Sequence, residues 1–285
     1  MPKGFGGDWR ELCVTTGLAT AGALVVGTFC WIIGDLLWHG VQTFKISFLW
    51  LAPELAGRAG GIGPILISTV LILAICIAVA LPIGMGTAIL LAEFTPQENR
   101  FGQWVRRSLD ILSGVPSIVF GLFGNALFCQ WMGLGFSLLS GGLTLACMIL
   151  PLLIRAVETG LRAVPSEVRL GAMALGVSTP TALWRLFLPL ATPGLVVGLV
   201  LGIGRALAET AALIFTSGYV DRAPSSLLDS GRALSLHIYD LSMNVSGGDT
   251  NAYQSALVLV LLLFLINGLA TLCTRRLLLG KVIAA

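Results

Sequence analysis

Uncharged, mostly apolar runs alternate along the chain with short polar segments. They cover Leu12 to Gly34, Ala59 to Ala92, Ile111 to Ile154, Leu186 to Gly204 and Thr250 to Thr274. Each exceeds the ~18 apolar residues that cross a bilayer. The Ile111–Ile154 run is too long for one crossing. Its middle, Met132-Gly133-Leu134-Gly135-Phe136-Ser137 followed by Ser140-Gly141-Gly142, carries turn residues, so two helices are expected there. The pattern therefore predicts an all-α, polytopic membrane protein of six transmembrane helices, at about 13–37, 63–90, 109–131, 138–156, 188–214 and 253–274. No repeat of fixed period interrupts it, so residues 1–285 read as a single domain. The first run is too long for a signal-peptide core and is read as a mature helix.

Composition agrees with lipid as the solvent. Of 285 residues 56% are hydrophobic, only 11% are Asp, Glu, Lys or Arg, and 35 are glycine; a soluble domain carries roughly 25% charge. A net charge of +3, scattered along the chain, points to no nucleic acid. Lys and Arg are unevenly placed: Lys3, Arg10, Arg100, Arg106, Arg107, Arg155, Arg162, Arg169, Arg185, Arg275, Arg276 and Lys281 fall on one side. Lys45, Arg58, Arg222 and Arg232 fall on the other. The positive-inside bias then puts both termini in the cytoplasm, with Trp31, Trp38, Trp50 and Trp131 near outer span ends. Pro82, Pro116, Pro151, Pro189 and Pro193 fall inside predicted spans and favour a moving or pore-lining bundle over an inert anchor.

Catalytic and cofactor chemistry finds no support. No Gly-Lys-Ser/Thr loop cradles a nucleotide, and no Gly-x-Ser-x-Gly elbow or H-E-x-x-H pair occurs. His39 and His237 are read as loop or surface residues. The six cysteines, Cys13, Cys30, Cys76, Cys129, Cys147 and Cys273, are read as small packing residues. The chain is thus expected to be no enzyme, to need no cofactor or metal, and to take its energy from a partner protein or an ion gradient.

The segment 157–187 is the longest expected cytoplasmic piece. Pro165-Ser166 can open a helix with Ser166 as N-cap, and Gly176 can close it. Ser178-Thr179 before Pro180 can open a second, with Leu183, Trp184, Leu186 and Phe187 leading into Leu188-Pro189. Two short helices hinged at a glycine, with apolar side chains outward, suit a partner's groove; an amphipathic helix lying on lipid is the other reading.

These residues carry a resemblance. Leu170-Gly171-Ala172, then Gly176, then Leu186 and Leu188-Pro189 keep the spacing of the coupling motif of binding-protein-dependent ABC importer permeases. Leu170 and Gly171 stand where that pattern has glutamate and alanine. Glu167, one turn earlier, can stand in for the carboxylate. Narrower strings resemble the phosphate importer permeases: Gly60-Gly61-Ile62-Gly63-Pro64, Ala80-Leu81-Pro82-Ile83-Gly84, Leu91-Ala92-Glu93-Phe94, the run Ser113 to Gly121, and Gly204-Arg205-Ala206-Leu207-Ala208-Glu209-Thr210-Ala211. Length and a short amino-terminal region look more like the PstA-type subunit than the PstC-type. The resemblance implies a type I ABC importer permease fold in the bacterial inner membrane. It also implies a sister permease, ABC ATPase subunits and a periplasmic phosphate-binding protein as partners. The coupling contact would fall on Glu167, Leu170, Gly171, Ala172, Gly176, Leu186 and Pro189.

Arg205 and Glu209 interrupt an apolar stretch from Leu186 to Val220. An arginine at mid-helix costs about 2.5–3.5 kcal/mol on insertion scales, so such residues face a bundle interior. Their i, i+4 spacing would let them pair as a structural clamp, or let Arg205 exchange Glu209 for an anion, with Thr210 adding a hydroxyl. Permeases for molybdate, sulfate or phosphonate compete with phosphate on spacing alone. A secondary transporter or a scaffold is a less favoured class. The outer loop from Ser217 to Asn251 is expected to be a solvated cover.

Overall fold

The computed structural model describes residues 9–96 and 98–282. Lys3 lies outside the described residues, as do the side chains of Arg10, Cys273, Arg275, Arg276 and Lys281. The first helix, α1 (Trp9–Gln42), leads through a 3-10 turn (Ile46–Leu49) to a two-residue hairpin, β1 (Pro53–Glu54) and β2 (Ala59–Gly60), paired antiparallel. Then follow α2 (Gly63–Ile89), widening into a π turn at Leu90–Phe94, α3 (Arg100–Ser113), α4 (Ser117–Gly124), widening at Asn125–Trp131, and α5 (Leu138–Arg162). The rest comprises α6 (Ser166–Ala174), α7 (Thr179–Ala182) with a π turn at Leu183–Phe187, α8 (Leu188–Leu207), α9 (Ala211–Ile214), α10 (Leu234–Met243) and α11 (Asp249–Val282). Among the described residues five helices are long and apolar enough to span a membrane, and α3 with α4 adds one more as a bent pair.

Helix α5 is the axis. Its Ile149, Leu153, Val157 and Leu161 are buried in the main core with Ile72 and Cys76 of α2 and Ala191 of α8. Glycines let the neighbours come close. A Cβ on Gly160 would stand 2.8 Å from Gly194 Cα, and one on Gly198 would stand 2.8 Å from Ala156 Cβ. On the α2 side, a Cβ on Gly142 would meet Ile75 at 2.5 Å. Without a hydrophobic drive between helices in lipid, such small-residue contact supplies the dispersion that holds a bundle together.

Two expected spans change shape. Where 109–131 reads as one helix, the chain breaks at Gly114-Val115-Pro116 and bends by 101°. Proline cannot continue α3 and disfavours helical geometry before it, so Pro116 becomes the N-cap of a separate α4. The 188–214 span ends at Leu207, and Ala211–Ile214 forms its own short helix. Span four runs six residues beyond 156, to Arg162. Gly141 and Gly142 lie within α5 rather than in a turn, and both are packed against neighbours. Pro82, Pro151 and Pro193 are inside helices, whereas Pro189 sits in the first turn of α8, directly after the wide turn at Leu183–Phe187. That turn removes the tight i to i−4 geometry in which the proline ring would strike the Arg185 carbonyl.

The loop from Ser217 to Asn251 is folded, not a solvated cover. Its carbonyls at Asp229 and Leu227 accept the N–H groups of Leu138 and Leu139, which α5 cannot satisfy itself. Thr69 Oγ1 of α2 accepts from Leu234 N at 2.9 Å, capping α10. His237, expected at a surface, is buried on α10 beside Arg232, which pairs with Asp240 at 3.0 Å. Gly57 packs on its ring with φ +88, a conformation only glycine adopts freely. His39 lies in α1 rather than a loop but is exposed, as a surface residue is, with Nδ1 3.1 Å from Asp35. Cys76 and Cys129 are buried and Cys147 partly so, but Cys13 and Cys30 are exposed on α1 and pack nothing. That helix rests on α11 through Gly40 against Leu257 and through the Tyr253 hydroxyl, which donates to Asp35 at 2.9 Å.

Two outcomes follow from this packing. Gly160→Val should destabilise the protein by about 1–3 kcal/mol through overpacking against Gly194. Gly86→Ala, inside α2 with nothing within 4 Å, should be neutral or stabilise slightly, because alanine favours the helix. Thermal unfolding of the detergent-purified protein compares them, and equal midpoints would contradict the α5–α8 contact. Burial, then Arg232, push the His237 pKa from 6.5 down to about 4, against a smaller opposing pull from Asp240. Above pH 6.5 both folded and unfolded imidazoles are neutral; between 6.5 and 4 the unfolded chain takes the proton first. Stability should therefore fall by up to about 3 kcal/mol across that window. Unfolding midpoints from pH 7.5 to 4.5 should show the fall in the parent and lose most of it in His237→Leu.

Candidate functional site

The expected coupling segment forms a protruding elbow. Helix α6 starts with Pro165 as N-cap, so Ser166 is its first helical residue rather than the cap. It ends in a Schellman motif: Gly176 N donates to Met173 O, Val177 N donates to Ala172 O at 3.0 Å, and Gly176 takes φ +68. Ser178 is the N-cap of α7 with Pro180 in the first turn, and its hydroxyl meets Thr181 Oγ1 at 2.9 Å. Ala172, Ala182, Leu183 and Phe187 face the core. Glu167, Leu170, Gly171, Met173, Leu175, Gly176, Trp184 and Leu186 face out, with Leu175 82% and Trp184 65% exposed, while Pro189 is half-buried. An exposed apolar cluster of this kind is what a partner surface offers.

An ion pair that sequence reasoning missed seats the elbow. Arg169 of α6 forks onto Glu93, with Nη1 to Oε2 at 2.5 Å and Nη2 to Oε1 at 2.9 Å. It also donates to Leu161 O at 2.7 Å, and its guanidinium lies 4.7 Å above the Phe187 ring. One side chain thus ties α6 to the end of α2, to α5 and to the root of α8. Glu93, a lone carboxylate closing an apolar run, was the available signal.

From the elbow, α7, the wide turn and α8 run on as one 29-residue helix, Thr179–Leu207. At ~1.5 Å per residue that is roughly 40 Å. Arg205 lies in its last turn, exposed, at the end of a stripe formed by Leu190, Pro193, Val197 and Leu201. Among the described residues its guanidinium makes no ion pair or hydrogen bond. Glu209 is not on the same helix face, because α8 stops at Leu207. Its Oε1 instead accepts from Ala212 N at 3.1 Å and its carbonyl accepts from Ser235 Oγ at 2.6 Å, so it caps α9. Thr210 is the N-cap residue of α9, with no side-chain bond to the helix. The expected Arg205–Glu209 pair is therefore absent among the described residues.

The deeper charge cluster lies elsewhere. Glu158, 3% exposed on α5, takes Arg106 Nε at 2.7 Å, Arg162 at 3.1 Å and Arg155 Nη1 at 3.3 Å. Arg106 and Arg162 both also donate to Leu91 O, at 2.8 and 2.9 Å, where the α2 ladder widens. Arg155 reaches on to Asp110 at 2.6 Å. Among the described residues no group of three His, Cys, Asp or Glu is placed to hold a metal ion.

Residues 80–279 match the family described as binding-protein-dependent transport system inner membrane component. The chain belongs to this family. It spans α2 to α11, so the elbow, the long α7–α8 helix and the Glu158 cluster all fall within the family's transport component. Named relatives include the probable ABC transporter permease protein YqgI of Bacillus subtilis, 28% identical over 87% of this chain and 88% of the relative. The phosphate transport system permease protein PstA of Mycobacterium leprae is 34% identical over 83% and 79%. PstC of Pasteurella multocida is 30% identical over 81% and 78%. The fold is similar to the inward-facing MetNI methionine ABC transporter, with TM-score 0.60 at 18% identity over 75% of this chain and 96% of that one. It is also similar to a bacterial ABC transporter that imports alginate, with TM-score 0.64 at 13% identity over 94% and 98%. As a member, this permease is a multi-pass inner-membrane subunit of an ABC importer, a class that works with ATPase and substrate-binding partners.

Removing Arg169 would leave the Glu93 carboxylate, 5% exposed, unpaired. Arg169→Ala should loosen α6 by about 3–5 kcal/mol, and Arg169→Ala with Glu93→Gln should recover part of that. Amide hydrogen exchange across 166–177 reads the difference. Unchanged protection in the single variant would refute the clamp.

Proposed function

We propose that this chain is the permease subunit of an ATP-driven importer for inorganic phosphate. It would line half of the pathway beside a sister permease, take substrate from a periplasmic phosphate-binding protein, and hold both termini in the cytoplasm. Hydrolysis would reside in the ATPase partners, whose groove takes Leu170, Met173, Leu175 and Trp184 of the elbow. The relatives named as phosphate transport permeases support the substrate.

The observation that carries the reading is Arg205. A guanidinium left unpaired and exposed on a membrane helix is costly against lipid, so its face belongs to a pathway or a subunit contact. Its planar fork matches phosphate oxygens. Because α7, the wide turn and α8 are one continuous helix, displacement of the elbow by the ATPase would be carried along it toward Arg205. Glu209, held by Ala212 N, supplies the negative counterpart only if α9 releases it, which favours brief binding of the anion.

Phosphate uptake by the assembled importer tests this. Arg205→Gln should lower uptake roughly 10- to 100-fold, the cost of one or two charge-assisted hydrogen bonds, while leaving assembly intact. Arg205→Lys should retain an intermediate rate. Wild-type uptake in Arg205→Gln would overturn the role of the residue, and preference for sulfate or molybdate over phosphate would overturn the substrate.

A further inference from the structure

Beside the Glu158 cluster lies a cavity of about 390 Å³, walled by Arg106, Arg107, Arg155, Arg162, Glu158 and Thr159, with Gln103 at its edge. The charges do not balance. Four guanidiniums face two carboxylates, Glu158 and the Asp110 that holds Arg155, leaving two positive charges over. Arg107 is exposed at the cavity wall and, among the described residues, makes no ion pair or hydrogen bond. Next along the same helices is a groove of about 500 Å³ with a wholly apolar lining, including Leu109, Leu112, Val119, Phe123, Leu150 and Ile154. The two linings adjoin along the same helices: Ile154 lines the groove and Arg155 the cavity, while on α3 Leu109 and Leu112 line the groove one and two turns from Arg106.

We propose that the seam between α3, α4 and α5 binds an anionic phospholipid, its phosphate headgroup in the arginine cavity and an acyl chain in the apolar groove. The bend of 101° lets α3 lie along the membrane surface while α4 enters it. Phe101 and Trp104 are exposed on α3, as in helices that float at the headgroup layer. Arg107, one turn from Trp104 on the same side of such a helix, stands at the depth of lipid phosphates, where surplus positive charge selects anionic lipid. A free phosphate ion would pair with the arginines but give the groove nothing, and an apolar partner helix would fill the groove but leave the charge uncompensated. The site does not depend on Arg205 or on which solute is transported.

The test uses the purified, delipidated complex of permeases and ATPase subunits carrying Arg205→Gln, so that the solute site proposed above does not answer to added phosphate. It is titrated separately with short-chain phosphatidylglycerol, short-chain phosphatidylcholine and sodium phosphate, with the thermal unfolding midpoint as readout. Phosphatidylglycerol should raise the midpoint saturably, and the other two should not. Arg107→Glu, which breaks no ion pair, and Val119→Trp, which fills the groove from an exposed position, should each weaken the apparent affinity roughly tenfold or more. Arg107→Gln serves if the charge reversal impairs folding. Equal stabilisation by inorganic phosphate would make the cavity an ion site, and equal stabilisation by phosphatidylcholine would make the groove unselective. Wild-type affinity in both variants would place the lipid elsewhere. Any of these results, or no lipid response at all, overturns the proposal.

Discussion

The structure depends on α5 being held between α2 and α8 at backbone distance. Lipid is as apolar as leucine, so burying leucine between helices gains little over leaving it in the bilayer. What can be gained is close contact, and the glycines supply it. Gly160 meets Gly194, Gly198 meets Ala156, and Gly142 meets Ile75, each at a separation that a side chain would forbid. The abundance of glycine in a chain this apolar is therefore a packing requirement along specific seams.

The same helix carries the cost of its polar end. Glu158 is nearly excluded from water, and three guanidiniums with the Leu91 carbonyl complete its surroundings. A buried carboxylate with fewer partners would be strongly destabilising, so α2, α3 and α5 must converge there together. The widened turn at Leu90–Phe94 presents the Leu91 carbonyl that two of the arginines use. Of the widened turns, that at Leu90–Phe94 supplies an acceptor and that at Leu183–Phe187 admits Pro189.

The elbow and Arg205 are joined by one continuous helix. The elbow is pinned by one arginine and shaped by one glycine with positive φ, and its second helix is the foot of α8. One continuous helix carries the exposed apolar knob near one end and, among the described residues, an unpaired cation near the other, with Pro189 and Pro193 between them. Glu209, separated from that rod by the break at Ala208, stays with α9 and the folded outer loop.

Much of this was legible in the chain. Apolar runs longer than a bilayer is thick dictate spanning helices, because backbone polar groups have no other partner in lipid. The spacing around Gly176 identified the elbow, and the scarcity of charge singled out Arg205. The chain alone could not show which charges meet. Asp110, Glu93 and Glu158 lie between 45 and 76 residues from the arginines Arg155, Arg106 and Arg169 that they pair with. Nor could periodicity foresee that α8 ends at Leu207, since the apolar pattern runs on past it; the Ser235 bond to the Glu209 carbonyl and the capping of Ala212 by that glutamate turn the chain there. Local composition determined what must lie in the membrane. Tertiary contact decided which polar groups are paired inside it and which are left facing outward, because pairing depends on helices brought together from distant parts of the sequence.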